Sequence, residues 1–379
     1  MKSIISNCLV IVVATLLSLA LVELGAWIWV KSARDQQLSR WEFRATQPPP
    51  YQHADYFSAR FLEESETFVN GRLRDVVELD DYRGEYFNVT DGFRVTTDGP
   101  PDSKRRILLF GGSTLFGQEV PDEHTIASYL QRMVNDAGLP WRVANYGLPG
   151  MNASQQVSIL KTVTLREGDI VIFYHGVNDI YYVVFGGASD GWIPGVPNFR
   201  PIQELNSWAQ WMKQWHARLK NYSHTADLAL DIFDRSVPTT ISDEDVLGRG
   251  VEVAAARFRA ALKEAQGIVV TSGAEFEHYL QPTIYDVDQR SSYESGLLTH
   301  YLETPPGVDM AFEKGYPKLL EVSLELKIEG ISFMDIRDAL DRRHEYDEIF
   351  LDFCHLNHVG NWLIAQRLFN ESIEPRANH

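Results

Sequence analysis

From Arg105 onward, short apolar runs alternate with segments of helical periodicity, and this alternation limits the possible folds more than any other feature. Strands are predicted at 106–110, 141–146 and 169–174, and helices at 125–136 and 155–165. Parallel strands need a long crossover between them, usually a helix. The alternation therefore predicts an α/β fold in which a parallel sheet carries helices on both faces.

The second half of the chain continues this pattern. A strongly amphipathic helix is predicted at 251–266, strands at 267–270, 277–280 and 331–336, and a closing helix at 358–370. Far more chain lies between Asn178 and Asp352 than a minimal fold of this type requires. Helical insertions are predicted at about 186–250 and 290–327. The tryptophans of the first, Trp192, Trp208, Trp211 and Trp215, belong either to a helix core or to an aromatic lid over a cleft.

Polar residues follow three of the predicted strands directly. Ser113 comes after the first strand, the loop Asn145–Gly150 after the second, and Asn178 after the third. Ligands bind at the carboxyl ends of the strands in open α/β sheets. We therefore expect these residues to converge on one functional site.

Four short blocks carry a resemblance to a known family. They are Phe110-Gly111-Gly112-Ser113-Thr114, Asn145-Tyr146-Gly147-Leu148-Pro149-Gly150, Gly176-Val177-Asn178-Asp179 and Asp352-Phe353-Cys354-His355. In this order they resemble the SGNH/GDSL hydrolase superfamily, over about two-thirds of the chain. The resemblance implies a flavodoxin-like three-layer α/β/α sandwich and acyl-transfer chemistry. The chain departs from the family where Gly112 replaces the aspartate of Gly-Asp-Ser.

The resemblance also implies roles for individual residues. Ser113 would be the nucleophile, His355 its general base and Asp352 the carboxylate that orients the imidazole. The oxyanion hole would consist of the backbone N–H groups of Ser113 and Gly150 and the side-chain amide of Asn178. Gly147 is the alternative to Gly150. Thr114, Gly147, His175 and Asp179 are candidates for the substrate pocket.

Each of these residues also has a structural alternative. Ser113 is suited to cap the following helix, and Asp352 to cap the last one. Asn178 and Asp179 are common turn residues. His358 is a rival base, and Cys354 is interpreted as a packed thiol.

Charge and motif content exclude other classes of function. The formal net charge of −17 argues against nucleic acid, because phosphate binding requires clustered Lys and Arg. The chain has no cluster of His, Asp or Glu with metal-ligand spacing and no phosphate loop. We therefore expect no metal and no cofactor.

The N-terminal segment 1–30 is predicted to be a single uncleaved transmembrane anchor. Its run from Ile4 to Val30 is almost continuously apolar and long enough to span a bilayer, and Trp27 and Trp29 suit an interfacial position. Glu23 within the span suggests a membrane-protein partner or a headgroup-level carboxylate. Residues 31–60, with three consecutive prolines, are predicted to be a stalk before a hydrolase domain at 61–379. We expect that domain on the periplasmic side of the membrane.

Two hypotheses about function follow. The first is a serine esterase or acyltransferase, acting on O-acyl groups such as acetyl on envelope glycans or exopolysaccharide, or on another small ester. Lipid esters and thioesters are alternative substrates. The second is a non-catalytic glycan-binding scaffold subunit of a membrane complex. The presence of Ser113, His355, Asp352 and Asn178 together favours the enzyme.

Overall fold

The computed structural model describes most of the chain from residue 54 onward. The described residues are 15, 18, 21–25, 51, 54–71, 79, 81–100, 102–103, 105–185, 244–288, 290–300, 308–345 and 348–377. A small antiparallel sheet comes first, with β1 at Tyr82–Arg83, β2 at Asn88–Thr90 and β3 at Phe93–Arg94. It precedes the main sheet in the chain.

The main sheet has five strands. They are β4 (Arg105–Gly111), β5 (Trp141–Asn145), β6 (Ile170–His175), β7 (Glu275–Leu280) and β8 (Ser332–Asp335). All neighbours pair in parallel, in the spatial order β5-β4-β6-β7-β8. Counted within this sheet, that order is 2-1-3-4-5, the flavodoxin-like arrangement. The predicted parallel α/β sheet is confirmed.

Helices lie between and beyond the strands. They are α1 (Ala59–Gly71), α2 (Ser113–Phe116), α3 (Ile126–Asp136), α4 (Ala153–Leu160), α5 (Val177–Phe185), α6 (Glu244–Thr271), α7 (Ser292–His300), α8 (Val308–Ile328), α9 (His358–Leu368) and α10 (Glu374–Ala377). Helix α3 packs on α9, whereas α6 packs on α4, α5 and α8. All six residues of β6 are buried. A central strand buried on both sides requires cover on both faces of the sheet, as predicted.

Side-chain caps set where several helices begin. Thr125 accepts a hydrogen bond from the Ser128 N–H and starts α3. Asn152 and Gln155 form a capping box, which starts α4 at residue 153. The predicted helix began at 155 and ran to 165, whereas α4 ends at Leu160. The capping box explains the earlier start, because Gln155 is the third residue of the helix and not its first.

The strand predicted at 267–270 is wrong. Those residues are the end of α6, which runs on to Thr271. Ala265 and Val269, four residues apart, are both fully buried, while Val270 is 55% exposed. This burial follows the helical period and not the two-residue alternation of a half-buried strand. The separate strand predicted at 277–280 is confirmed as part of β7.

The segment 290–327 contains α7 and α8, but α8 is not a surface insertion. Its residues Ala311, Phe312, Leu319 and Leu326 are all nearly or fully buried. It packs against α6 and β8 and so forms part of the core. Most of the other predicted insertion lies outside the described residues, including its four tryptophans, and residues 244–250 are the first turns of α6.

The described end of the predicted stalk packs against the domain. Tyr51 and Tyr56 are buried in an aromatic cluster with Phe61 and Phe87. Helix α1 then adds Glu64, whose carboxylate accepts hydrogen bonds from the N–H groups of Glu85, Tyr86 and Phe87 at 3.1, 3.1 and 2.9 Å. Residues 51 and 54–60 are therefore part of the folded unit.

Of the predicted membrane anchor, only positions 15, 18 and 21–25 are described, and all are helical. Within the described residues, no helix is both long enough and apolar enough to cross a bilayer. The rest of the predicted span lies outside the described residues. The anchor and the partner expected at Glu23 stay predictions.

Candidate active site

Ser113 lies at the carboxyl end of β4, where the chain turns into α2. Gly112 occupies the capping position in an extended conformation, and Ser113 is the first helical residue. The turn is tight: a Cβ on Gly111 would lie 2.7 Å from the Tyr174 carbonyl oxygen. Ser113 therefore does not cap α2, and its hydroxyl is directed elsewhere. Its Oγ lies 2.7 Å from Nε2 of His355.

Asp352 holds the other side of the imidazole. Its Oδ2 lies 2.7 Å from Nδ1 of His355, and its Oδ1 accepts the N–H groups of Cys354 and His355 at 2.8 and 2.7 Å. Asp352 is fully buried and His355 is 8% exposed. These partners assign the proton of a neutral imidazole to Nδ1 and the lone pair to Nε2, facing Ser113. Asp352 does not cap α9, because Asn357 fills that position.

Gln281, at the carboxyl end of β7, joins the loop that carries His355 to the helix that begins at Ser113. Its side-chain amide donates to Oγ1 of Thr114 at 2.8 Å and to the Cys354 carbonyl oxygen at 3.2 Å. Thr114 itself is only 4% exposed. Thr114 is thus a buried structural contact next to Ser113. The prediction that it lines the substrate pocket is wrong.

Cys354 is buried beside the imidazole. Its Sγ lies 3.6 Å from Nδ1 of His355, the nitrogen that faces Asp352. The thiol is 2% exposed, which agrees with a packed side chain. Asp352, Cys354 and His355 also bring three donor atoms within 4.8 Å of one another. They fit a metal poorly, because Nδ1 carries the proton shared with Asp352 and has no lone pair to offer.

Asn178, in the first turn of α5, brings a side-chain amide to the same strand ends. Its Nδ2 donates to the Met151 carbonyl oxygen at 3.0 Å and lies only 2.5 Å from where a Cβ of Gly112 would stand. An amide has two hydrogens, so Asn178 has a second one to donate. The N–H of Ser113, as the first residue of its helix, has no acceptor within that helix. Two donors therefore lie at the Gly112–Ser113 step of the chain, the Ser113 N–H and the Asn178 amide.

Three side chains of helix α5 hold the loop that carries Gly150. Besides the Asn178 bond, Tyr182 donates to the Gly150 carbonyl oxygen at 2.7 Å, and Asp179 accepts the Ala153 N–H at 3.1 Å. Gly150 has φ +76°, a conformation that residues with a Cβ rarely adopt. The position of its peptide is thus fixed by α5 and by the absence of a side chain.

Gly147 has a different role from Gly150. Its N–H donates to Oδ1 of Asn145 at 2.9 Å, and the Nδ2 of Asn145 donates to the Leu115 carbonyl oxygen at 2.9 Å. A Cβ on Gly147 would lie 2.7 Å from the Phe116 N. Gly147 therefore permits close approach of the loop to α2. It is buried, and its N–H is already paired, so it lines no pocket.

Of the remaining predicted pocket residues, His175 is a core residue. It is 2% exposed, and its Nε2 lies 3.4 Å from Nδ1 of His278, which is fully buried. Burial lowers the pKa of His175 well below its ordinary value and lowers that of His278 to about 3. The contacts of both imidazoles are with core side chains and not with Ser113. The rival base His358 lies in the first turn of α9, 3.4 Å from the Tyr56 hydroxyl.

Asp179 is a partly buried carboxyl group in the first turn of α5. Burial raises its pKa to about 7, although the N–H groups of Ala153 and its own turn oppose the shift. Asn178 and Asp179 are therefore not turn residues alone, because both side chains bond to the loop that carries Gly150. Asp179 contacts that loop from α5, through the Ala153 N–H.

Two residues that support the site have no local signal in the sequence. Arg94 is 2% exposed and donates to the carbonyl oxygens of Gly117 and Val120 at 3.0 and 2.9 Å, next to its ion pair with Asp122. It fixes the turn that follows α2. Tyr182 is the other support. Gln281, in contrast, carried the same signal as Ser113 and Asn178, a polar residue directly after a strand.

Comparisons with known proteins give structural matches alone. No family model and no curated relative matches the chain. Among solved structures it is similar to a lipolytic protein of the G-D-S-L family from Veillonella parvula DSM 2008, with 13% identity, 71% of this chain and 98% of that chain covered, and a TM-score of 0.39. It is also similar to the acetyl xylan esterase AlAXEase, with 13% identity, coverage of 71% and 100%, and a TM-score of 0.38. A third match is Axe2, an acetylxylan esterase from Geobacillus stearothermophilus, with 12% identity, coverage of 71% and 94%, and a TM-score of 0.38.

Proposed function

We propose that this protein is a serine esterase or acyltransferase of the SGNH/GDSL type, with Ser113 as nucleophile. One observation carries the proposal: an unbroken line of hydrogen bonds from Ser113 Oγ through His355 to Asp352, at 2.7 Å each. A serine hydroxyl is a weak nucleophile until a base within hydrogen-bond reach removes its proton. A scaffold subunit has no need of this arrangement at the end of a sheet.

In the proposed reaction, Nε2 of His355 takes the proton as Ser113 Oγ attacks the ester carbonyl carbon. The imidazolium that forms is stabilised by the carboxylate of Asp352, which also prevents rotation of the ring. The same Nε2 proton then passes to the departing alkoxide. The result is an acyl-Ser113 intermediate and a neutral base ready for the second half-reaction.

Negative charge develops on the carbonyl oxygen during the attack. We assign its stabilisation to the N–H groups of Ser113 and Gly150 and to the second amide hydrogen of Asn178. Loss of one such donor commonly costs about 3 kcal/mol of transition-state stabilisation. The supports behind these donors, Tyr182 among them, keep them in place before substrate arrives.

The substrate class that we favour is a small acyl group, such as acetyl, on a sugar hydroxyl. The support is an aromatic surface near the site: Tyr181 is half-buried, one helical turn beyond Asn178, and stacks on Phe353 with 5.6 Å between ring centroids and 12° between planes. Aromatic faces of this kind pack well against sugar rings. Two of the structural matches are named as acetyl xylan esterases, a name that describes action on esters of this kind.

The test is labelling with a fluorophosphonate, which reacts with activated serines, alongside hydrolysis of p-nitrophenyl acetate. The wild-type protein and Ser158→Ala, which changes an exposed serine of α4, should both label and turn over. Ser113→Ala should do neither. Equal labelling of the Ser113→Ala variant, or no labelling of the wild type, would refute the proposal.

Hydrolysis and transfer share the acyl-enzyme and differ in what reaches it, water or a sugar hydroxyl. Acetate release measured with and without added xylo-oligosaccharide separates the two. A hydrolase releases acetate at the same rate in both cases. A transferase releases less acetate with the oligosaccharide present and acetylates the acceptor instead.

We also propose that the N-terminal segment anchors this domain to a membrane, with the domain on the periplasmic side. The support is the apolar run from Ile4 to Val30 in the sequence. Fractionation of cells that express the full chain, followed by protease treatment of spheroplasts, tests the proposal. Recovery in the soluble fraction contradicts the anchor, and protection from protease contradicts the orientation.

A further inference from the structure

A concave site that does not include Ser113 lies on one face of β4 and β5. It is a groove of about 580 Å³. The parallel register places Arg106 opposite Arg142 and Leu108 opposite Ala144. Alternate residues of a strand share a face, so the arginines and the apolar floor lie on the same side of the sheet.

Three guanidinium groups line this groove, those of Arg106, Arg142 and Arg166. Arg106 donates to the buried carboxylate of Asp169. Within the described part of the chain, the exposed side chains of Arg142 and Arg166 make no hydrogen bond or ion pair. The three arginines carry three positive charges. The negative charges beside them are two, those of Asp169 and of Asp102 at the rim, in a protein whose formal net charge is −17.

Tyr146 completes the wall. Its ring stacks on Phe110, with 5.0 Å between centroids, and meets Phe93 edge-on at 4.6 Å. Burial raises the pKa of the Tyr146 hydroxyl, and the charges of Arg106, Arg142 and Arg166 oppose that rise. Tyr146 therefore lines the same groove as the three arginines.

From these contacts we infer that the groove is a binding site for an oxyanion, either a phosphate or a carboxylate group of a larger ligand. Guanidinium groups bind both through paired N–H donors, and the strongest such bonds form where the arginine has no competing carboxylate. Arg142 and Arg166 meet that condition, and the Tyr146 hydroxyl adds a neutral donor. The half-buried Ala144 and the half-buried ring of Tyr146 offer apolar surface to the uncharged part of the ligand.

Arg106, which lies in the groove, is near the amino end of β4, whereas the proposed active site lies at the carboxyl end. Arg106 is the second residue of the strand and Gly111 its last, a separation on the order of 16 Å at the usual rise of a strand, and Ser113 lies two residues further on. Occupation of the groove therefore leaves Ser113 accessible. The inference holds whether or not the protein is an esterase.

Isothermal titration of the full chain with inorganic phosphate and, separately, with galacturonate at low ionic strength tests this site. We expect at least one of the two to bind, and to bind less tightly as NaCl is added, since the contact is ionic. The variant Arg142→Gln/Arg166→Gln should bind at least about tenfold more weakly. The control Arg83→Gln/Arg249→Gln removes two exposed arginines elsewhere and should bind as the wild type does.

The two probes also distinguish the source of the anion. Phosphate binding alone indicates a phosphorylated ligand, and galacturonate binding alone an acidic sugar. Failure of both to bind the wild type, or equal binding by the Arg142→Gln/Arg166→Gln variant, overturns the inference. Equal melting temperatures of the two double variants exclude misfolding as the cause of weaker binding, and the single variant Arg166→Gln provides a milder check.

Discussion

The hydroxyl of Tyr182 donates a 2.7 Å hydrogen bond to the carbonyl oxygen of Gly150. Gly150 and Tyr182 belong to different elements, the loop after β5 and the helix after β6. The bond anchors the peptide unit on one side of the Gly150 Cα, and the N–H of Gly150 lies in the peptide unit on the other side, so the bond limits how far that N–H can move. Tyr182 thereby positions a donor that it does not touch.

We expect Tyr182→Phe to lower kcat for p-nitrophenyl acetate about three- to tenfold, with little change in KM. One neutral hydrogen bond contributes about 1 kcal/mol, and its loss allows the Gly150 peptide to move. Tyr129→Phe is the matched control, since it removes a 2.7 Å bond to His124 outside the site. Equal kcat losses in both variants would mean that general stability and not position is affected.

Gly112→Ala tests the close approach of Asn178. The new Cβ would stand 2.5 Å from Nδ2 of Asn178 and would push the amide away from Ser113. We expect kcat to fall by about 100-fold, as after loss of an oxyanion donor. Gly267→Ala, at a helical position with nothing within 4 Å of its Cβ, should keep full activity. Normal kcat in Gly112→Ala would remove Asn178 from the proposed oxyanion hole.

The buried pair His175 and His278 makes the fold sensitive to acid. Unfolded imidazoles take up protons near pH 6.5, whereas folded His278 does so near pH 3. Between these values the unfolded chain binds more protons, so the free energy of unfolding falls as pH falls from about 6.5 toward 3. His278→Phe should flatten this dependence by up to about 1.4 kcal/mol per pH unit.

Urea unfolding at several pH values measures that slope. Phe258→Leu, which changes the ring packed on His175 at 4.7 Å, is the control. It should lower stability by a similar amount at every pH. The same slope in His278→Phe and in wild type would contradict the assignment of the acid sensitivity to this pair.

Asp179 should change the pH dependence of the free energy of unfolding in the opposite direction. Its pKa is raised to about 7 in the folded protein from 3.8 when unfolded. The folded chain then binds more protons between these values, so this stabilisation is present at low pH and is lost as pH rises through about 7. Asp179→Asn keeps an oxygen for the Ala153 N–H and abolishes the titration. The stability of the variant relative to wild type should therefore increase from pH 5 to pH 8, and a constant difference would contradict the raised pKa.

Much of the fold was predictable because the spacing of apolar residues along the chain indicates which side chains are buried. The strands that end at Gly111 and His175 are continuous apolar runs, the strand that ends at Asn145 alternates between buried and more exposed residues, and the helices between them follow the 3.6-residue period. The strand predicted at 267–270 failed because four consecutive residues, Gly267–Val270, suit either structure, and tertiary packing of Ala265 and Val269 decided for the helix. The core role of α8 was likewise not visible, since burial of a helix face depends on neighbours distant in the chain.

The residues of the site also fall into two groups, those that the sequence predicts and those that it does not. Ser113, Asn178, Asp352 and His355 were found because they sit in short motifs with fixed spacing. His175 and Thr114 were placed in the pocket because they adjoin those motifs, but adjacent residues in a strand or helix point in different directions. Arg94 and Tyr182 act across long sequence separations through ordinary hydrogen bonds. No local pattern marks such a contact.

The bond between Ser113 and His355 joins residues 242 positions apart in the chain. During synthesis on the ribosome, Ser113 and its helix are made long before the base and its carboxylate. A chain cut short anywhere before residue 352 therefore contains a serine that nothing activates. In the full chain, the proposed activity requires Gln281 and the loop at 352–355 to be docked on α2. Under the proposed mechanism, a copy of this protein that ends before residue 352 is therefore inert toward esters.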